Sequence, residues 1–203
     1  MSAEVEIHRL AEAVIWQRHD ATVKTDLFST ALPTVGGTYL IDPIELKPDE
    51  IESVIGGRQV AGIIITNVNH ARASAFFRNR FAVPVYAQRA AHADLALTGP
   101  IQNIEDSELS ELSVLSVAGA ALGEIALHST ARSGTLILGD ALINAGSLGF
   151  TFLPAKYCSN HKLMRKSLRR LLDYEFDRIF FAHGTPIITR ARQRLAALLE
   201  CEG

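Results

Sequence analysis

The sequence predicts a four-layer α/β sandwich, two packed sheets with helices on both outer faces. Three observations predict it. Strand patterns come first in runs and then interleave with helical patterns, the order expected when helices cover two packed sheets. The run Ile63-Ile64-Ile65-Thr66 is continuously β-branched, as in a strand buried on both faces. Hydrophobic residues make up 48% of the 203, enough for a sizeable core and too many for a disordered chain. That length suits one domain over residues 1–203.

Residues 4–16 and 24–32 read as strands. Gly36-Gly37 marks a turn, and Thr38 to Ile41 form a strand that stops at Asp42-Pro43. Pro48-Asp49-Glu50 opens a short helix, its carboxylates suiting the positive N-terminal end. The strand Ile63 to Thr66 runs into a loop and then a helix over 72–81, with Ala73, Phe76, Phe77 and Arg80 at helical spacing. Pro84 to Ala87 is a strand and 90–97 a short helix. Residues 110–118, 122–129 and 135–138 are three consecutive strands, with Ser133-Gly134 turning between the last two. A helix over 160–174 buries Met164, Leu168, Leu171 and Leu172 and turns Lys162, Arg165, Lys166, Arg169 and Arg170 mostly outward. Arg178 to Ala182 is a strand ending at His183-Gly184, and a last helix covers 188–201.

With 20 basic and 22 acidic residues the net charge is −2, which gives no reason to expect nucleic acid or an anionic membrane as partner. The basic side of the 160–174 helix lacks interleaved aromatics and reads as a solvated face. Cys158 and Cys201 have no metal or redox spacing and fit reduced thiols in a cytosolic protein. His8, His19, His92, His128 and His161 show no ligand spacing. The first residues are acidic where a signal peptide is basic, and no apolar run approaches the roughly 20 residues of a membrane span. A cytoplasmic protein that does not enter the membrane is the expectation.

Six segments, in order, resemble the metallo-β-lactamase superfamily over nearly the whole chain. Gly37-Thr38-Tyr39-Leu40-Ile41-Asp42-Pro43 is similar to the family's early G-x-x-L-I-D strand. Ile63 to Arg72 stands where the family has a strand followed by Thr-His-x-His-x-Asp-His. Pro84-Val85-Tyr86 matches the strand after the first helix. Val117 to Ile125 resembles the P-G-H-T-P-G-S turn, Leu136 to Leu142 the G-D strand, and Phe181 to Pro186 the closing G-H-G-x-P.

The family holds one or two metals, usually zinc, through seven positions. The resemblance puts them on Asn67, Asn69, Ala71, Arg72, Ala120, Asp140 and His183, of which only Asp140 and His183 keep the expected type. Neutral imidazoles and a carboxylate suit a borderline-soft ion, and metal binding makes hydroxide available near neutral pH. An asparagine offers only a hard, weak amide oxygen. Ala71 and Ala120 offer nothing. Arg72 puts a permanent cation at a ligand position and is expected to pair with Asp140 in the ion's place. His70 lies one position off the pattern and reads as a loop histidine rather than a ligand. It is placed with Asp42 and Thr66 just behind the cleft-lining positions.

The resemblance therefore implies a degenerate metal site and a non-catalytic, ligand-binding pseudo-hydrolase without a cofactor. The alternative is a hydrolase of esters, thioesters or phosphoesters centred on Asp140 and His183. It holds one weakly bound zinc, iron or manganese ion, with Asn67, Asn69 or His70 completing the shell. In its metal-free form His183 acts as a general base oriented by Asp140. The expected partner is a small molecule in the cleft, and the apolar side of the final helix (Leu195, Leu198, Leu199) permits a homodimer.

Overall fold

The computed structural model describes residues 4–10 and 12–201. Strands β1 (Glu6–Arg9), β2 (Val14–Asp20), β3 (Thr25–Thr34) and β4 (Gly37–Ile41) form an antiparallel meander. Strands β5 (Val60–Ile64), β6 (Val85–Ala87) and β7 (Gln102–Asn103) extend the same sheet in parallel. Helices α1 (Pro48–Ile55) and α2 (Ser74–Phe81) make the β4-to-β5 and β5-to-β6 crossovers. The second sheet comprises β8 (Leu112–Ser116), β9 (Ile125–Ser129), β10 (Thr135–Leu138) and, beyond an inserted hairpin, β13 (Arg178–Phe181), in the order β13-β10-β9-β8. The hairpin is β11 (Leu142–Ala145) with β12 (Gly149–Phe152). Helices α3 (His161–Arg169) and α4 (Ala191–Cys201) cover the outer face of this sheet.

Side-chain alternation along the strands produces three apolar interfaces and hence four layers. Ile15, Phe28 and Ile64 of the first sheet meet Ile125, Leu127 and Phe180 of the second. The alternate residues Trp16, Ile63 and Ile65 turn outward onto Ile51, Val54 and Phe77 of α1 and α2. On the far side, Leu136, Leu138 and Phe181 pack on Met164 and Leu168 of α3 and on Leu195 and Leu199 of α4. The continuous apolar run at Ile63–Ile65 is therefore split between two interfaces.

Local differences from the sequence expectation have local causes. The stretch 4–16 is two strands, because the Leu10 N–H bonds the Ala13 carbonyl at 2.8 Å and folds the chain back. Ala11, inside that stretch, lies outside the described residues, as do residues 1–3 and 202–203. The helix expected at 90–97 is a single 3-10 turn at Arg89–Ala91. Only Ala91 and Leu95 of that stretch are buried, too narrow an apolar stripe to hold a helix against the sheet. The helix expected over 160–174 is α-helical to Arg169 and tightens into a 3-10 turn over Arg170–Asp173. Among the described residues no helix is long and apolar enough to cross a membrane, and both cysteines are free thiols.

The loops that follow β4, β5, β10 and β13 gather at one end of the sandwich. Backbone bonds tie them there: Asp42 N–H to Ile64 O, Ile125 N–H to Thr66 O, Ala182 N–H to Leu138 O and Phe28 N–H to Ala182 O.

Candidate functional site

Asp42 ends β4 with a positive φ of 48°, and its carboxylate is turned inward and buried. Its Oδ1 accepts the Thr66 N–H at 2.8 Å, and its Oδ2 accepts the Thr66 hydroxyl and the His70 Nδ1–H, the latter at 2.9 Å. The other ring nitrogen of His70, Nε2, lies 3.1 Å from Asp140 Oδ1. A ring between two carboxylates needs a proton on each nitrogen, so His70 is an imidazolium. Burial disfavours that charge, and Arg72 nearby adds to the penalty. Asp140 and Asp42 outweigh both and leave the His70 pKa pushed up to about 9. His70 lies in the loop after β5, and it is 3% exposed at the centre of the cluster.

Asp140 follows β10, where Gly139 lets the chain pass close to β5. A Cβ at Gly139 would stand 2.6 Å from Thr66 Oγ1, 2.8 Å from Glu124 Oε1 and 2.9 Å from Asn67 Nδ2. Asp140 Oδ1 faces both His70 Nε2 and His183 Nε2, the latter at 3.3 Å, while Oδ2 accepts from Asn67 Nδ2 at 3.2 Å. Burial works against its charge, but the two histidines hold the carboxyl well below the usual carboxylate range. Asp42 is also lowered, its burial outweighed by His70, Arg72 and the Thr66 hydrogen bond.

Glu124, at the entrance to β9, is a buried acid that the sequence reading assigned no role. Its two oxygens accept from Asn67 Nδ2 at 2.8 Å and from Ala141 N–H at 3.0 Å. Burial and the neighbouring Asp140 charge push its pKa up to about 8, which favours its protonated form. The only signal for it in the sequence is a lone acidic residue inside the apolar stretch 120–127.

The remaining positions fall into place around this core. Arg72, held at a positive φ of 38°, donates Nη1 to the carbonyls of Phe28 (2.6 Å) and Asp42 (3.0 Å) and Nη2 to that of Ala182 (3.4 Å). Its donors go to backbone from both sheets, so the expected pairing with Asp140 is corrected; His70 makes that pair. Asn67 is buried, its carbonyl oxygen accepting the Asn69 N–H at 2.9 Å. Ala71 and Ala120 are buried and bring no donor atom. Asn69 is exposed at the cleft. His183 Nδ1 lies 3.3 Å from the Asp26 carbonyl, which leaves Nε2 toward Asp140.

These residues do not fit a dinuclear metal centre. Asn67 has both ends of its amide occupied inside the protein, two positions carry alanine and one carries a half-buried guanidinium. A single ion is a different case. His70 Nε2, Asp140 Oδ1 and His183 Nε2 all lie within 4.8 Å of one another, and both rings turn their Nδ1 to an oxygen, as metal-binding imidazoles do. A two-histidine, one-carboxylate set is a recognised arrangement for one divalent ion.

His70, Arg72, Asp140 and His183 border the floor of a cleft of about 750 Å³, with Leu27, Ile143 and Leu153 on its walls. A depression of similar size, about 780 Å³, runs along α3 but contains none of the clustered acids.

Residues 6–201 match a family model described as metallo-beta-lactamase superfamily. Among solved structures, the DIM-1 metallo-beta-lactamase exposed to ceftazidime superposes with a TM-score of 0.75 at 12% identity, covering 100% of both chains. A metallo-beta-lactamase from Pontibacter korlensis gives 0.74 at 16% identity, over 97% of this chain and 99% of that one. The protein TTHA1623, solved in a di-iron-bound form, gives 0.64 at 23% identity, over 88% and 96%. At these identities the likeness is one of fold. No curated protein matches the chain.

Proposed function

This chain belongs to the metallo-beta-lactamase superfamily, and on that premise we propose a small-molecule-binding member in which protein charge has replaced the dinuclear metal centre. One arrangement carries this reading, the His70 ring set between two buried carboxylates beneath the cleft with the Arg72 guanidinium tied to backbone beside it. The His70 ring lies between the carboxylates of Asp42 and Asp140, the Arg72 guanidinium caps the Asp42 backbone carbonyl, and burial favours the protonated form of Glu124. Buried charges persist only when compensated, and here the His70 ring contacts both carboxylates while the Arg72 charge lies close to Asp42. Arg72 ties β3, the end of β4 and the end of β13 together through their carbonyls, so the two sheets are joined at the floor. The Asn69 side-chain amide is left to hydrogen-bond a ligand in the cleft.

A second reading, a hydrolase with one divalent ion, is favoured by the convergence of His70 Nε2, Asp140 Oδ1 and His183 Nε2. Those three residues would hold the ion. When bound, such an ion polarises a carbonyl or phosphoryl oxygen and lowers the pKa of water. Asp42 and the Asp26 carbonyl fix the tautomer and orientation of the two rings, and Asn67 fixes the second oxygen of Asp140. Esters, thioesters and phosphoesters are its substrate classes by fold analogy.

Thermal unfolding of chelator-treated protein, titrated with zinc, manganese or ferrous ion, separates the two. The single-ion reading requires a rise in Tm of roughly 5–10 °C at a hundredfold excess over Kd, lost in His183→Ala. The metal-free reading predicts no such rise in either protein.

A further inference from the structure

We propose that the ligand of this cleft is an uncharged amphiphile, a hydrocarbon body ending in an amide or ester carbonyl. The inference rests on the cleft being the functional site. Three large apolar side chains stand out into solvent around its mouth: Val23 is 59% exposed, Leu148 66% and Tyr157 61%. Each comes from a different element, namely the β2–β3 loop, the 3-10 turn Gly146–Leu148 between β11 and β12, and the 3-10 turn Ala155–Tyr157. A single exposed apolar residue needs no explanation, but a group of them around one opening does. Leu27, Ile143 and Leu153 continue the apolar surface down the walls. A hydrocarbon chain entering there leaves water on all sides.

The floor selects the head group. Asp20 at the rim and Asp140 on the floor place a carboxylate at each end of the cleft, which disfavours an anionic head group. The Asn69 side-chain amide makes no hydrogen bond within the described residues and faces the cleft with a donor and an acceptor. His183 adds a ring nitrogen beside Asp140. A neutral carbonyl matches this set, and an amide matches both functions of Asn69.

Calorimetric titration with hexanamide, octanamide and octanoate tests the proposal. Burial of each methylene multiplies affinity by about four, so octanamide binds roughly 15-fold more tightly than hexanamide. Val23→Ser, Leu148→Ser and Tyr157→Ser, combined, flatten that chain-length dependence; all three positions are exposed, so folding is not at stake. Asn69→Ala weakens both amides by the same factor. Octanoate binds more weakly than octanamide. Equal affinity for both chain lengths, a preference for octanoate, or no binding of either amide overturns the proposal. A stoichiometric metal alongside the expected chain-length dependence and the preference for octanamide would remove the metal-free reading and leave this inference standing. A flat dependence in metal-free protein would do the reverse.

Discussion

His70 carries the site at the scale of single residues. Removing its ring leaves the Asp42 and Asp140 carboxylates buried with one fewer cation, and breaking a buried pair costs about 3 kcal/mol or more. Its pKa of about 9 lies above the ordinary 6.5, so the stability it contributes is full below pH 6.5 and is lost as pH rises through 9. Glu124, raised from 4.5 to about 8, acts in the same direction over its own range. Urea unfolding at pH 6 and pH 9 should therefore show the wild type losing stability with pH. His70→Ala should be about 3 kcal/mol less stable at pH 6 and should lose less on going to pH 9. An equal pH slope in both proteins would mean that His70 is not charged in the folded state. The sequence alone could not find this role. His70 is one position off the expected ligand pattern, and its partners are 28 and 70 residues away, brought in by the parallel strands β4 and β5 and by Gly139. Arg72 was legible as a cation at a ligand position, but its backbone partners on β3 and after β13 exist only once the sheets have packed.

Elements with a strong internal pattern were legible, and those defined by contact were not. The β-branched run at Ile63–Ile65 and the period of α3 specify their own burial on both sides. The β11–β12 hairpin, which brings Ile143 and Leu148 to the cleft, mixes Gly, Ser and Asn with apolar residues and has no such period. The placement of α3 depends on Gly119, which sits at φ 94° against the helix's first turn. A Cβ there would stand 2.4 Å from both the Asn160 carbonyl oxygen and the Met164 amide nitrogen. Asn160 caps that turn by accepting the Leu163 N–H at 3.0 Å. Gly119→Ala should cost about 2–3 kcal/mol from the clash with backbone, with a further loss from its positive φ. A stability within error of wild type would show that α3 can move away from the sheet freely.

At the scale of the whole molecule, the four layers are those of the superfamily. In this chain the guanidinium of Arg72 spans carbonyls of both sheets, and His70 bridges the ends of β4 and β10 through Asp42 and Asp140. On the metal-free reading proposed above, this framework keeps the cleft without an ion. The most direct measurement is elemental analysis by mass spectrometry of protein purified without chelator or affinity metal. The account predicts only a trace of zinc, iron or manganese, far below one ion per chain. A stoichiometric content of any of them, lost in His183→Ala, would contradict it and assign His70, Asp140 and His183 to a working metal site.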